Sequence, residues 1–131
     1  MRVVLDTSAA MDIVLHEPGA DALQRTLDKA EWIEAPELFI AEAANVCWKN
    51  HKQGRLALDH CEPALSQAIG LMDAFIPAEA LYQEAFGLAV TTQRAVYDMF
   101  FLVLARRHNA ILLSSDKGLL SLAARHGIRT H

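Results

Sequence analysis

Short apolar strands that alternate with helices predict an α/β fold: a three-layer α/β/α sandwich around a central, mainly parallel sheet. Three observations carry this. The strand candidates are short and apolar, as in Val3-Val4-Leu5 and Ile111-Leu112-Leu113. Helical spacing of apolar residues fills the segments between them. The length, 131 residues, suits one domain (1–131) with one core.

Taken in order, Arg2 to Leu5 is the first strand, and Ser8 is the expected N-cap of a helix from Ala9. Glu17-Pro18-Gly19 marks a turn, and Ala20 to Ala30 is helical. Glu31 to Ala35 is a weak strand candidate, with Trp32 and Ile33 as its apolar content. Pro36 is expected to open a helix over Glu37 to Gln53, stopped by Gly54. A further helix spans Leu58 to Leu71, with a bend or shortened start expected at Pro63. Asp73 to Ile76 is a strand, Ala78 to Val90 a helix, Thr91 to Ala95 a connection and Val96 to His108 a strongly apolar helix. Ala110 to Ser114 is a strand, Lys117 to Arg125 a helix, and Gly127 to Thr130 a last edge strand.

Composition narrows the function. Hydrophobic residues make up 53% and charged residues 21%, which favours a packed core over disorder. The net charge of −4 argues against a protein that coats nucleic acid by bulk positive charge, though not against a nuclease. No signal peptide is expected at the N-terminus, and no uncharged run approaches the ~20 residues that span a bilayer, so a soluble, cytoplasmic protein is expected. Cys47 and Cys61 fit a reducing compartment.

Four acids stand out. Asp6 directly follows the first strand, and Asp116 follows Ile111 to Ser115. In open α/β sheets ligands bind beyond the carboxyl ends of the strands, where both would emerge. Glu42 is the single charge in Leu38 to Val46, and Asn45, three residues on, shares its helix face. Asp98 opens the apolar run Met99 to Ala105. Each has a structural explanation: Asp6 and Asp116 as helix caps, Asp98 at the positive end of its helix, and Glu42 at the edge of an apolar stripe. Together they feed one sheet edge. Two carboxylates ~4 Å apart repel by about 4 kcal/mol at an effective dielectric near 20, so clustering calls for protons or cations. Oxygen-only ligands suit Mg²⁺ or Mn²⁺. Zinc is disfavoured, since the six histidines show no paired helical spacing.

The motifs Val4-Leu5-Asp6-Thr7-Ser8-Ala9, Glu42-Ala43-Ala44-Asn45, Val96-Tyr97-Asp98 before Phe101-Leu102-Val103-Leu104-Ala105, and Leu113-Ser114-Ser115-Asp116 occur in this order over nearly the whole chain. In them the chain resembles the PIN-domain ribonucleases, and within these the VapC-type toxins of bacterial toxin–antitoxin pairs. The resemblance implies an endoribonuclease in which Asp6, Glu42, Asp98 and Asp116 hold one or two Mg²⁺ or Mn²⁺ ions, Asp6 and Asp98 most directly. It implies metal-assisted phosphodiester hydrolysis without a nucleophilic side chain. Thr7, Asn45 and Ser114 match supporting positions. Met99 stands where the family commonly has alanine. The resemblance also implies an RNA substrate, an inhibitory antitoxin and a homodimer. Lys117 and Arg94 are candidate phosphate contacts. Met11, Ile13, Val14 and Leu15 are either an interface or core, with burial favouring core. Two alternatives stay open: a non-catalytic binding module on the same fold, and a metal-dependent phosphatase with Asp6 as nucleophile. The second lacks the acid that known examples carry two residues on, since position 8 is Ser.

Overall fold

A computed structural model describes residues 1–131. Four strands, β1 (Arg2–Leu5), β2 (Trp32–Pro36), β3 (Ala74–Ile76) and β4 (Ile111–Leu113), form one sheet in the order β3-β2-β1-β4. Every neighbouring pair is parallel. Parallel neighbours need crossover connections. Seven helices supply these and flank the sheet: α1 (Thr7–Val14), α2 (Ala20–Leu27), α3 (Leu38–Lys52), α4 (Leu58–Gly70), α5 (Tyr82–Thr92), α6 (Val96–Arg107) and α7 (Lys117–Arg125). This is the α/β class expected. Helix α1 packs with α2, α3 and α4, whereas α6 packs on α5 and crosses β1, β2 and β4.

The order of strands makes the crevice. From β1 the chain moves outward through β2 and β3, then returns to add β4 on the other side of β1. Connections that diverge from a central strand leave a gap beyond its carboxyl end. The backbone N–H of Asp6 donates to Leu113 O at 2.9 Å, which locks the end of β1 to the end of β4 at that gap.

The core follows from the strand and helix sequences. Val3, Val4 and Leu5 of β1 and Leu112 and Leu113 of β4 are fully buried. Every residue from Met99 to Ala105 in α6 is buried. A helix that is apolar all round belongs inside, and each large side chain there contributes roughly 1.5–3 kcal/mol by burial. Met11, Ile13 and Val14 of α1 also join the core. No single helix is long and apolar enough to cross a membrane.

Five local expectations change. The first helix begins at Thr7, capped by Asp6 and not by Ser8: Asp6 has extended backbone and its own side chain takes the Thr7 N–H. Pro36 closes β2, opposite Ile76, and does not open a helix. The bond to β3 at that end comes from the Glu37 N–H, which donates to Ile76 O at 2.9 Å, so the proline's missing N–H costs none there. Pro63 sits inside α4, which runs unbroken to Gly70. The segment from Ala78 divides into a 3-10 turn (Ala78–Ala80) and α5, which ends at Gln93 with φ 59. The last edge strand reduces to one bridge between Leu112 and Thr130.

Candidate active site

Asp6 stands first because the end of β1 places it. Its Oδ1 accepts the Thr7 N–H at 2.8 Å, capping α1. Its Oδ2 accepts the hydroxyls of Ser8 at 2.8 Å and Ser114 at 2.6 Å. Ser114, at the end of β4, also accepts the Asp116 N–H at 3.0 Å, so one hydroxyl ties two of the acids together. Asp116 caps α7 by accepting the Leu119 N–H at 3.1 Å. The neighbouring Thr7 turns its hydroxyl the other way and donates to Glu42 Oε1 of α3 at 2.8 Å. Asp98, in the first turn of α6, accepts from Arg94 Nη2 at 3.1 Å, and the same nitrogen donates to Asp116 Oδ2 at 3.3 Å.

All four acids line one open cleft of about 420 Å³, together with Thr7, Ser8, Asn45 and Tyr97. Positions far apart in sequence therefore meet, as the topology of β1 and β4 requires. The caps foreseen at Asp6 and Asp116 do exist, but capping uses only Oδ1 of each. Their Oδ2 atoms turn to hydroxyl and guanidinium donors. Asn45 borders the same cleft beside Glu42. Lys117 does not; it is exposed and borders a neighbouring hollow with Asp12, Ser115 and His131. Ser8 is a site residue that the sequence reading took for a cap. Its signal was a hydroxyl two positions after a strand-end acid.

The electrostatics are those of a site short of positive charge. Four carboxylates face one guanidinium. Burial pushes the Asp6 carboxyl above its ordinary range; the Ser114 and Ser8 hydroxyls oppose this, and Asp98 adds to it. Burial also raises Glu42; the Thr7 hydroxyl opposes this, and Asp6 and Asp98 add to it. Both folded values lie above the unfolded ones. Their effect on folding is therefore unfavourable at neutral pH and is relieved as pH falls through the folded value. The metal-free Asp6→Asn protein is expected to melt above the parent at pH 7, with the gap narrowing as pH nears the ordinary aspartate value of 3.8. Melting curves across that range check it; a gap that widens on acidification contradicts it.

The donor set fits a hard divalent cation. It consists of oxygen atoms only, it is aimed at one cleft, and a side-chain cation already bridges two of its members. In this arrangement, in which Arg94 bridges Asp98 and Asp116, no three acids stand close enough to hold one ion together.

Comparison with known proteins places the chain in a family and its fold among solved ones. The chain is 29% identical over 122 residues to Ribonuclease VapC3 of Pyrobaculum aerophilum, covering 91% of this chain and 92% of that relative. Its fold is similar to PAE2754 from Pyrobaculum aerophilum, with TM-score 0.70 at 21% identity over 97% of this chain and 98% of the other. It is also similar to VapBC2 from Rickettsia felis bound to a promoter DNA fragment, with TM-score 0.69 at 14% identity over 100% and 98%. The PIN domain family model matches residues 3–125. With nearly its whole length matched, from β1 to the end of α7, the chain belongs to the PIN domain family.

Proposed function

We propose that this chain is a single-domain (1–131), Mg²⁺- or Mn²⁺-dependent endoribonuclease, the toxin of a toxin–antitoxin pair acting in the cytoplasm. The observation that carries the reading is the cleft itself: Asp6, Glu42, Asp98 and Asp116 share one lining at the carboxyl edge of the sheet. Family membership and the relative named Ribonuclease VapC3 support it.

In this reading Asp6 and Asp98 are the direct ligands of one or two ions, and Glu42 and Asp116 complete the set. When bound, such ions supply the Lewis acidity for in-line attack of water on phosphorus and offset the charge on the departing oxygen. The side chains do the positioning. Ser8, Ser114 and the Thr7 N–H fix both oxygens of Asp6, and the Thr7 hydroxyl fixes Glu42. A preset carboxylate array costs little reorganisation during reaction. Asn45 borders the cleft as a further polar support. Lys117, exposed beside Asp116, is available to an RNA phosphate. Arg94 reaches a phosphate only once released from its two carboxylates.

An antitoxin partner is supported by the likeness to VapBC2. Homodimerisation is supported by a row of exposed apolar residues one turn apart on α5, namely Tyr82, Phe86 and Val90. The test is digestion of RNA with Mn²⁺ against an EDTA control, with an aryl phosphate monoester in parallel. RNA cut inside the chain only with metal supports the nuclease. Hydrolysis of the monoester alone would favour a phosphatase, and no turnover of either a binding module.

A further inference from the structure

Arg94 bridges Asp98 and Asp116 at their side of the cleft. Its Nη2 is 3.1 Å from Asp98 Oδ2 and 3.3 Å from Asp116 Oδ2, tying the first turn of α6 to the cap of α7. This is an unfavourable place for a cation on dipole grounds, since two helix N-termini converge there. The two carboxylates are what hold it.

The seat depends on Gly118. A Cβ at that position would lie 2.8 Å from Arg94 Nη1 and 3.3 Å from Asp116 Oδ1, so a side chain there would push the guanidinium, the free end of a flexible side chain, off its present seat against the start of α7. The backbone gives no other reason for glycine, because Gly118 is not among the positive-φ residues. In a helix, glycine is about 1 kcal/mol worse than alanine.

We propose that Arg94 is a built-in counter-cation that competes with the divalent ion for Asp98 and Asp116, with Gly118 keeping its seat open. The inference rests on the metal-binding reading given above. A cation that takes either Oδ2 atom then requires the guanidinium to leave it. While it stays, both Oδ2 atoms are engaged by the guanidinium. The released guanidinium, still tethered at the rim, is free to meet the anionic substrate.

The test is Mn²⁺ titration by calorimetry, without RNA, of the parent, Arg94→Gln and Gly118→Ala. Arg94→Gln is expected to bind Mn²⁺ on the order of tenfold more tightly, about 1.4 kcal/mol. Gly118→Ala is expected to shift the same way by a smaller factor. It changes no charge and improves helix propensity, so tighter binding there reports displacement of Arg94 and not a more negative cleft. In EDTA, Arg94→Gln is expected to melt below the parent and to gain more than the parent on adding Mn²⁺. If the parent binds Mn²⁺ and both variants match its affinity, the competition is refuted while the metal site stands. Tighter binding by Arg94→Gln with Gly118→Ala unchanged would reduce Arg94 to bulk charge and also refute it. No binding by any of the three would refute the metal reading, and the inference with it.

Discussion

At saturating Mn²⁺, Asp98→Asn is expected to cleave RNA about 10²-fold or more slowly than the parent, at nearly unchanged stability. Asp98 isolates the chemistry because it does little else. Its side chain is 33% exposed, caps no helix, and has one partner, Arg94. Asparagine keeps the shape and removes the charge that would hold a cation. The structural cost is the favourable placement of an acid in a first helical turn, on the order of 0.3–1 kcal/mol, less whatever repulsion from Asp6 and Glu42 is relieved. Single-turnover kinetics and a melt on the same preparation check both halves. Parental cleavage by Asp98→Asn would remove Asp98 from the acidic set.

The opposite signature is expected three residues on. Phe101 is 1% exposed in α6, the helix that crosses β1, β2 and β4. Phe101→Ala deletes a ring from a close-packed interior, where transfer and cavity costs add to about 3–5 kcal/mol. In a domain of this size each kcal/mol moves the melting temperature by roughly 2–8 °C, so a fall of about 6 °C or more is expected. Activity of the surviving folded fraction should hold if metal and RNA are saturating, because Phe101 does not line the cleft. A melt within 2–3 °C of the parent would mean that α6 does not anchor the sheet as its burial implies.

Much of this was legible in the sequence because chemistry and topology coincide there. Val3-Val4-Leu5 before Asp6, and Ile111-Leu112-Leu113 before Ser114 and Asp116, are apolar strands that end in polar groups. In a parallel sheet such groups must share an edge. Asp98 was visible as the one acid opening a fully apolar helix. What stayed hidden depends on partners distant in sequence. The strand β2 was a weak candidate with little apolar content, yet its Glu34 is 1% exposed, because His108 Nδ1 lies 2.6 Å away and Trp32 Nε1 donates to it at 3.3 Å. A buried acid tolerates a strand when such partners satisfy it, and residue 108 is not foreseeable from residue 34. Pro36 suited a helix start and a strand end equally, and pairing with β3 decided it. Arg94 was legible only as a candidate phosphate contact. That it spans Asp98 and Asp116 depends on the first turn of α6 and the cap of α7 meeting at one sheet edge, and on a glycine whose helical position gave no warning.

The most direct measurement of the cleft's role is an anomalous-difference map from crystals grown or soaked with Mn²⁺ in excess over any competing cation. The expected result is a peak inside the cleft, within about 2.0–2.3 Å of carboxylate oxygens of Asp6 and Asp98, with the Arg94 guanidinium moved off Asp98. A map without a peak among Asp6, Glu42, Asp98 and Asp116, from a preparation that still cuts RNA, would contradict the assignment of the site to these four residues.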